Sequence, residues 1–128
     1  MQDPTAPKEV VKRFWETMQT DDFVAAGAIL ADDFLLSWPQ SAETIRGRDN
    51  FVAVNQHYPA SGVWRFDVHS LVAEGSRVVS DGTVTDGSVT ARVITFSTVG
   101  GGQITEQLEF WPEPFAAPQW RRAWTERD

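Results

Sequence analysis

Residues 77–111 read RVVSDGTVTDGSVTARVITFSTVGGGQITEQLEFW, and this stretch decides the fold. Apolar and polar residues alternate from Arg77 to Thr85, from Ser88 to Val99 and from Gln103 to Trp111. The first two runs are separated by Asp86-Gly87, the strongest short hairpin signal, and the last two by the run Gly100-Gly101-Gly102. Period-two patterning joined by tight turns predicts an antiparallel meander. Upstream, Trp64 to Val72 has the same period and ends at the turn Glu74-Gly75-Ser76, which adds a fourth strand.

Before Gly62 the period is helical. Residues 8–19 carry Val10, Val11, Phe14, Trp15 and Met18 as one stripe. Thr20-Asp21-Asp22 supplies the cap for a second helix through Phe23, Ala26, Ile29 and Leu30, which ends near Ala31-Asp32-Asp33. Phe34-Leu35-Leu36-Ser37-Trp38 is a short strand stopped by Pro39. Arg48 or Asp49 opens a third helix, with Phe51, Val54, Asn55 and Tyr58 on one face. The predicted architecture is α+β: three helices followed by an antiparallel sheet.

The chain has 128 residues, expected to form a single domain over 1–128. Eleven Lys and Arg against eighteen Asp and Glu leave a charge of −7, and the isoelectric point is near 4.7. That balance argues against nucleic acid and anionic membranes as partners, since both need clustered cations. There is no cysteine, hence no disulfide and no thiolate metal site. No basic, apolar start of the signal-peptide type is visible, so a cytoplasmic location is expected. His57 and His69 show no metal-ligand spacing, and neither a metal nor a cofactor is expected. Six tryptophans and eight phenylalanines are the compositional surplus, suited to a core, an interface or a pocket wall.

The order and spacing of Val11-Lys12-Arg13-Phe14-Trp15, Ile29-Leu30-Ala31-Asp32-Asp33-Phe34, Ile45-Arg46-Gly47-Arg48, and Gly102-Gln103-Ile104-Thr105 leading into Glu109-Phe110-Trp111 resemble the nuclear-transport-factor-2-like superfamily. The polyketide-cyclase-like (SnoaL-like) branch is the nearest in pattern. The resemblance implies a cone-shaped curved sheet packed on the helices, a small-molecule cavity and a homodimer through the outer sheet face. It implies no single activity, because isomerases, cyclases, dehydratases, epoxide hydrolases and pure binders share the fold. The polar residues that serve the steroid-isomerase branch fall here at Phe14, Trp38 and Ile94, which cannot move a proton. The resemblance also turns Ile94, Gln107, Glu109 and Trp111 toward the cavity.

Turn geometry gives a register. A two-residue turn at Asp86-Gly87 pairs Asp81 with Arg92, and one at Gly100-Gly101 pairs Arg92 with Glu109. Asp81, Arg92 and Glu109 then form a row, with Ile94 and Gln107 beside it, and Val84, Val89, Ala91 and Val93 lie on the opposite face as the dimer surface. A single bulge in the glycine run would flip the second pairing. The row is either a cross-strand ion triad or a proton-transfer group in which Asp81 and Glu109 are acid and base. Phe14, Met18, Trp38, Tyr58, Ile94, Gln107 and Trp111 are the candidate ligand contacts. Trp120 and Trp124, four apart in the tail, either cover the cone's mouth or dock on a neighbouring subunit.

The function expected is the binding of a small apolar or aromatic molecule. The alternatives are a cofactor-independent isomerase, cyclase or dehydratase, and a dimerisation domain whose cavity its own side chains fill.

Overall fold

The computed structural model describes residues 3–127. Pro7 starts helix α1 (Pro7–Met18), where a missing N–H costs nothing, and the helix buries the predicted stripe Val10, Val11, Phe14, Trp15 and Met18. Asp22 caps helix α2 (Phe23–Gly27) by accepting the Ala25 N–H at 3.0 Å. A Cβ on Gly27 would lie 2.7 Å from Val52, so this glycine lets α2 sit close against helix α3 (Arg48–His57).

The second helix is shorter than its alanine-rich sequence predicts. Strand β1 already starts at Leu30 and runs to Trp38, so Ala31, Asp32 and Asp33 are strand residues. The Ile104 N–H bonds to Ile29 O at 2.9 Å, and Leu30 pairs with Ile104. Tertiary pairing overrides helix propensity there.

Strand β2 (Glu43–Arg46) has no counterpart in the sequence reading; it lies antiparallel to β1. Strands β3 (Arg65–Glu74), β4 (Arg77–Thr85), β5 (Thr90–Gly100) and β6 (Gln103–Phe110) form the predicted meander. The sheet order is β2-β1-β6-β5-β4-β3. All pairs are antiparallel except β1 with β6, which is parallel, so the sheet is not purely antiparallel as expected. The six strands form a curved, unclosed sheet with α1 and α3 packed on its inner face.

Both hairpins close one residue later than the turn signals suggest. Asp86 accepts the Ser88 and Val89 N–H groups on its carboxylate, which moves the first turn to Gly87-Ser88 and sets Thr85 opposite Thr90. A Ser61 N–H completes the shell, and the three backbone donors hold the Asp86 carboxyl down to about 2. Asp81 therefore faces Ile94 rather than Arg92, a two-residue slip that leaves every side chain on its expected face relative to the neighbouring strand.

The second turn is Gly101-Gly102, with φ of 60° and 78°. Beyond it Thr105 is inserted as a bulge, because Val99 pairs with Ile104 but Thr98 with Glu106. The extra residue flips β6 against β5. Glu109 consequently lies opposite Thr95, on the other face from Arg92.

The inner face carries Val78, Ser80, Gly82 and Val84 of β4, Val93, Thr95, Ser97 and Val99 of β5, and Gln107 and Glu109 of β6, all buried. Asp81, Arg92 and Ile94 are on the outer face, where Phe96, Leu108 and Phe110 form a half-buried apolar strip. The predicted dimer residues thus point the wrong way: Val84, Ala91 and Val93 face inward, and Val89 sits at the cavity's rim.

The tail leaves the sheet after Phe110 and ends in a 3₁₀ turn, Gln119–Trp124. Trp120 and Trp124 are 74% and 80% exposed, so they do not cover the mouth of their own chain's cavity. No helix among the described residues is long and apolar enough to cross a membrane.

Candidate functional site

Between α1, α3 and the inner face lies a cavity of about 130 Å³. Phe14, Trp15 and Met18 of α1, Phe51 and Asn55 of α3, and Trp64, Phe66, Leu36 and Val84 form most of its wall. Trp38, Tyr58, Glu109 and Trp111 line its open end and belong equally to a wider vestibule of about 670 Å³. Gln40, Ser41, Glu43 and Glu113 complete that vestibule. The cavity holds roughly one aromatic ring's worth of space, comparable with apolar cavities that bind benzene.

Glu109 is the polar centre of this site. Alternation along β6 turns Gln107, Glu109 and the following Trp111 inward, so the carboxylate projects from the sheet at the junction of cavity and vestibule. Three neutral donors hold it. The indole N–H groups of Trp38 (2.9 Å) and Trp111 (3.2 Å) both donate to Oε1, and the Thr95 hydroxyl donates to Oε2 at 2.6 Å. Trp38 arrives at the end of β1, where parallel pairing with β6 sets Ser37 opposite Leu108. Trp111 is anchored by its backbone N–H, which donates to Gln40 Oε1 at 2.6 Å. Four lone pairs are available on a carboxylate; the two on Oε1 are taken and one remains on Oε2.

Burial pushes the Glu109 carboxyl above the usual carboxylate range, and the bonds from Thr95, Trp38 and Trp111 offset only part of that rise. No Lys, Arg or His lines the cavity or the vestibule among the described residues. Further acceptors are present. Asn55 donates to Phe51 O and Gln107 to Ser97 Oγ, and neither side-chain carbonyl oxygen accepts a hydrogen bond among the described residues.

Of the residues selected from the sequence, Phe14, Met18, Trp38, Tyr58, Gln107, Glu109 and Trp111 meet at this site. Tyr58 is 54% exposed at the end of α3, its ring edge-on to Trp64 at 5.5 Å, so it belongs to the rim rather than the inward helix face. Ile94 does not contribute, being on the outer face.

The Asp81–Arg92–Glu109 row is not formed. Arg92 and Asp81 make a two-pronged ion pair, Nε to Oδ1 at 2.5 Å and Nη2 to Oδ2 at 2.6 Å, on the outer face. The guanidinium holds the Asp81 carboxyl below its ordinary range. His69 bonds Thr83 Oγ1 beside them, and His57 bonds Ala53 O on the exposed side of α3.

The reading from sequence missed Thr95, Asn55, Trp64 and the apolar wall from β4 and β5. The signal for Thr95 was its alternation with Ser97 between Val93 and Val99. The larger Ile94 and Phe96 on the other face drew the hydrophobic pattern away from it.

A family model described as the SnoaL-like domain matches residues 11–107. A candidate ketosteroid isomerase of Kribbella flavida superposes with a TM-score of 0.88 at 28% identity, over 95% of this chain and 89% of that one. A protein of unknown function from Burkholderia xenovorans, similar to nuclear transport factor 2, gives 0.77 at 27% identity over 94% and 93%. An LEH-like epoxide hydrolase of Mycobacterium tuberculosis gives 0.69 at 21% identity over 83% and 82%. No curated protein matches the sequence.

Proposed function

The chain belongs to the SnoaL-like domain family, and from that premise we propose that it takes up a small, compact and largely apolar molecule between its sheet and helices, with Glu109 as the polar group that meets it. Members of this family bind small molecules or act as isomerases and cyclases. The observation that carries the reading is the Glu109 carboxylate, buried where an aromatic cavity opens and held by Trp38, Trp111 and Thr95. Burying an ionisable group is costly, and three donors spent on fixing its position favour a role at the cavity over a role in the core. The unfilled volume speaks against a cavity packed by the chain's own side chains.

Proton transfer is the second reading, and one feature favours it. A carboxyl raised above its usual range, with one lone pair free on Oε2, is suited to take and return a proton. The isomerase name carried by the Kribbella relative is consistent with such chemistry. Glu109 would act without Asp81, which lies across the sheet. For the outer face we propose a second copy of the chain, seated on Ile94, Phe96, Leu108 and Phe110 rather than on the valines of the inner face.

Native mass spectrometry of protein taken gently from its own cells tests both halves. The reading predicts a dimer that carries a small organic molecule, released by Glu109→Ala. An unliganded protein whose melting temperature no apolar small molecule raises would contradict the binding reading, and a monomer would contradict the outer-face interface.

A further inference from the structure

The charge pattern of the site selects among small molecules. This step rests on the reading of the cavity as a ligand site and adds the chemical class of the ligand. Every ionisable acid that lines the cavity or vestibule is a carboxyl group except the Tyr58 phenol: Glu109 at the junction, Glu43 and Glu113 outside it. No cationic side chain lines either space among the described residues. Arginines hold two carboxylates on the surface. Arg92 sits on Asp81 and Arg48 on Asp32, the latter at 2.5 Å. Glu109 is buried and met only by neutral donors, and unlike Asp86, whose three backbone donors close it into a turn, it faces unfilled space.

A buried carboxylate without a counterion is a poor neighbour for a second anion and a good one for a cation. The walls around it point the same way. Trp38, Tyr58 and Trp111 ring the open end and Trp64 lies in the wall within, and aromatic faces attract ammonium groups most strongly where water is excluded. The inner cavity has room for one compact apolar group. The remaining lone pair on Oε2 can accept one N–H.

We propose that the site takes a small organic cation, a protonated amine bearing one compact apolar group, with that group in the cavity and its N–H on Glu109. The ionised form of Glu109 is the one that binds. Affinity therefore weakens as pH falls through the raised Glu109 range, while the amine stays charged throughout. Of the other groups facing Glu109, Trp38, Trp111 and Thr95 do not titrate in that range. Glu43, Glu113 and Tyr58 line the vestibule.

The test compares three probes of similar size on the whole chain by tryptophan fluorescence: N,N-dimethylbenzylammonium, its neutral isostere isobutylbenzene, and phenylacetate. The cation is expected to bind about tenfold more tightly than isobutylbenzene at pH 8, with phenylacetate weakest. Glu109→Gln should remove the preference for the cation over isobutylbenzene. In the wild type the preference should shrink on acidification, a readout independent of whether the variant folds. Equal or better binding of isobutylbenzene, or tight binding of phenylacetate, would overturn the cationic class and leave the cavity reading standing. Binding of none of the three would overturn both.

Discussion

Two carboxylates on opposite faces of one sheet, Asp81 and Glu109, show how differently this chain treats the same chemical group. Asp81 lies on the outer face with the Arg92 guanidinium clamped on both its oxygens, and its carboxyl is pushed down. Glu109 lies on the inner face among indoles and a threonine, and its carboxyl is pushed up. The first has its counterion in the chain and needs nothing more. The second is fixed in position but not neutralised, and it is the one that faces unfilled space. A buried, raised carboxyl that faces unfilled space is therefore the better marker of the working site here than the presence of an ion pair.

The comparison can be broken at Glu109 first. Glu109→Ala leaves two indole N–H groups and the Thr95 hydroxyl without their acceptor, whereas Glu109→Gln can accept from both indoles and donate to Thr95. The alanine variant should be less stable than the glutamine variant by about 2 kcal/mol in urea unfolding. The glutamine variant should also reveal the sign of the titration. A folded-state value raised above the unfolded one contributes stability below the ordinary glutamate range and loses it as pH rises through the raised value. Glu109→Gln should accordingly gain on the wild type toward pH 8 and lose that advantage toward pH 4.

The smaller effect is on the other face. Asp81→Asn removes an exposed, solvent-screened pair, so its melting temperature should stay close to that of the wild type. What difference there is should have the opposite pH sign. The Asp81 carboxyl is held down, so its contribution is present above the ordinary aspartate range and fades as pH falls. A large loss on Asp81→Asn, growing with dilution of the protein, would mean that the pair is covered by a second copy.

The fold was legible because its signals are local. Alternation, Asp86-Gly87 and the glycine run announce the meander, and the α1 stripe announces its own buried face. The β1–β6 parallel pair was not legible, since it joins distant segments without a turn to mark it, and neither was strand β2, a four-residue strand that follows β1 through the turn at 39–42. The site was half legible for a more specific reason. The outer face carries Ile94, Phe96, Leu108 and Phe110, which makes it as apolar as the inner one, so hydrophobicity alone cannot say which side is in. Register had to decide, and one bulged residue, Thr105, moved Glu109 away from Arg92. The rest of the aromatic wall survived that shift because Phe14, Met18 and Trp38 are placed by other elements.

The most direct test of the account is a carboxyl-carbon NMR titration that follows Asp81 and Glu109 in the same sample. The account predicts that Glu109 titrates above the ordinary glutamate value and Asp81 below the ordinary aspartate value, with the Asp81 curve unmoved in Glu109→Gln. A Glu109 that titrates at or below its ordinary value would show a carboxylate neutralised within the chain, and would contradict the claim that it awaits a partner in the cavity.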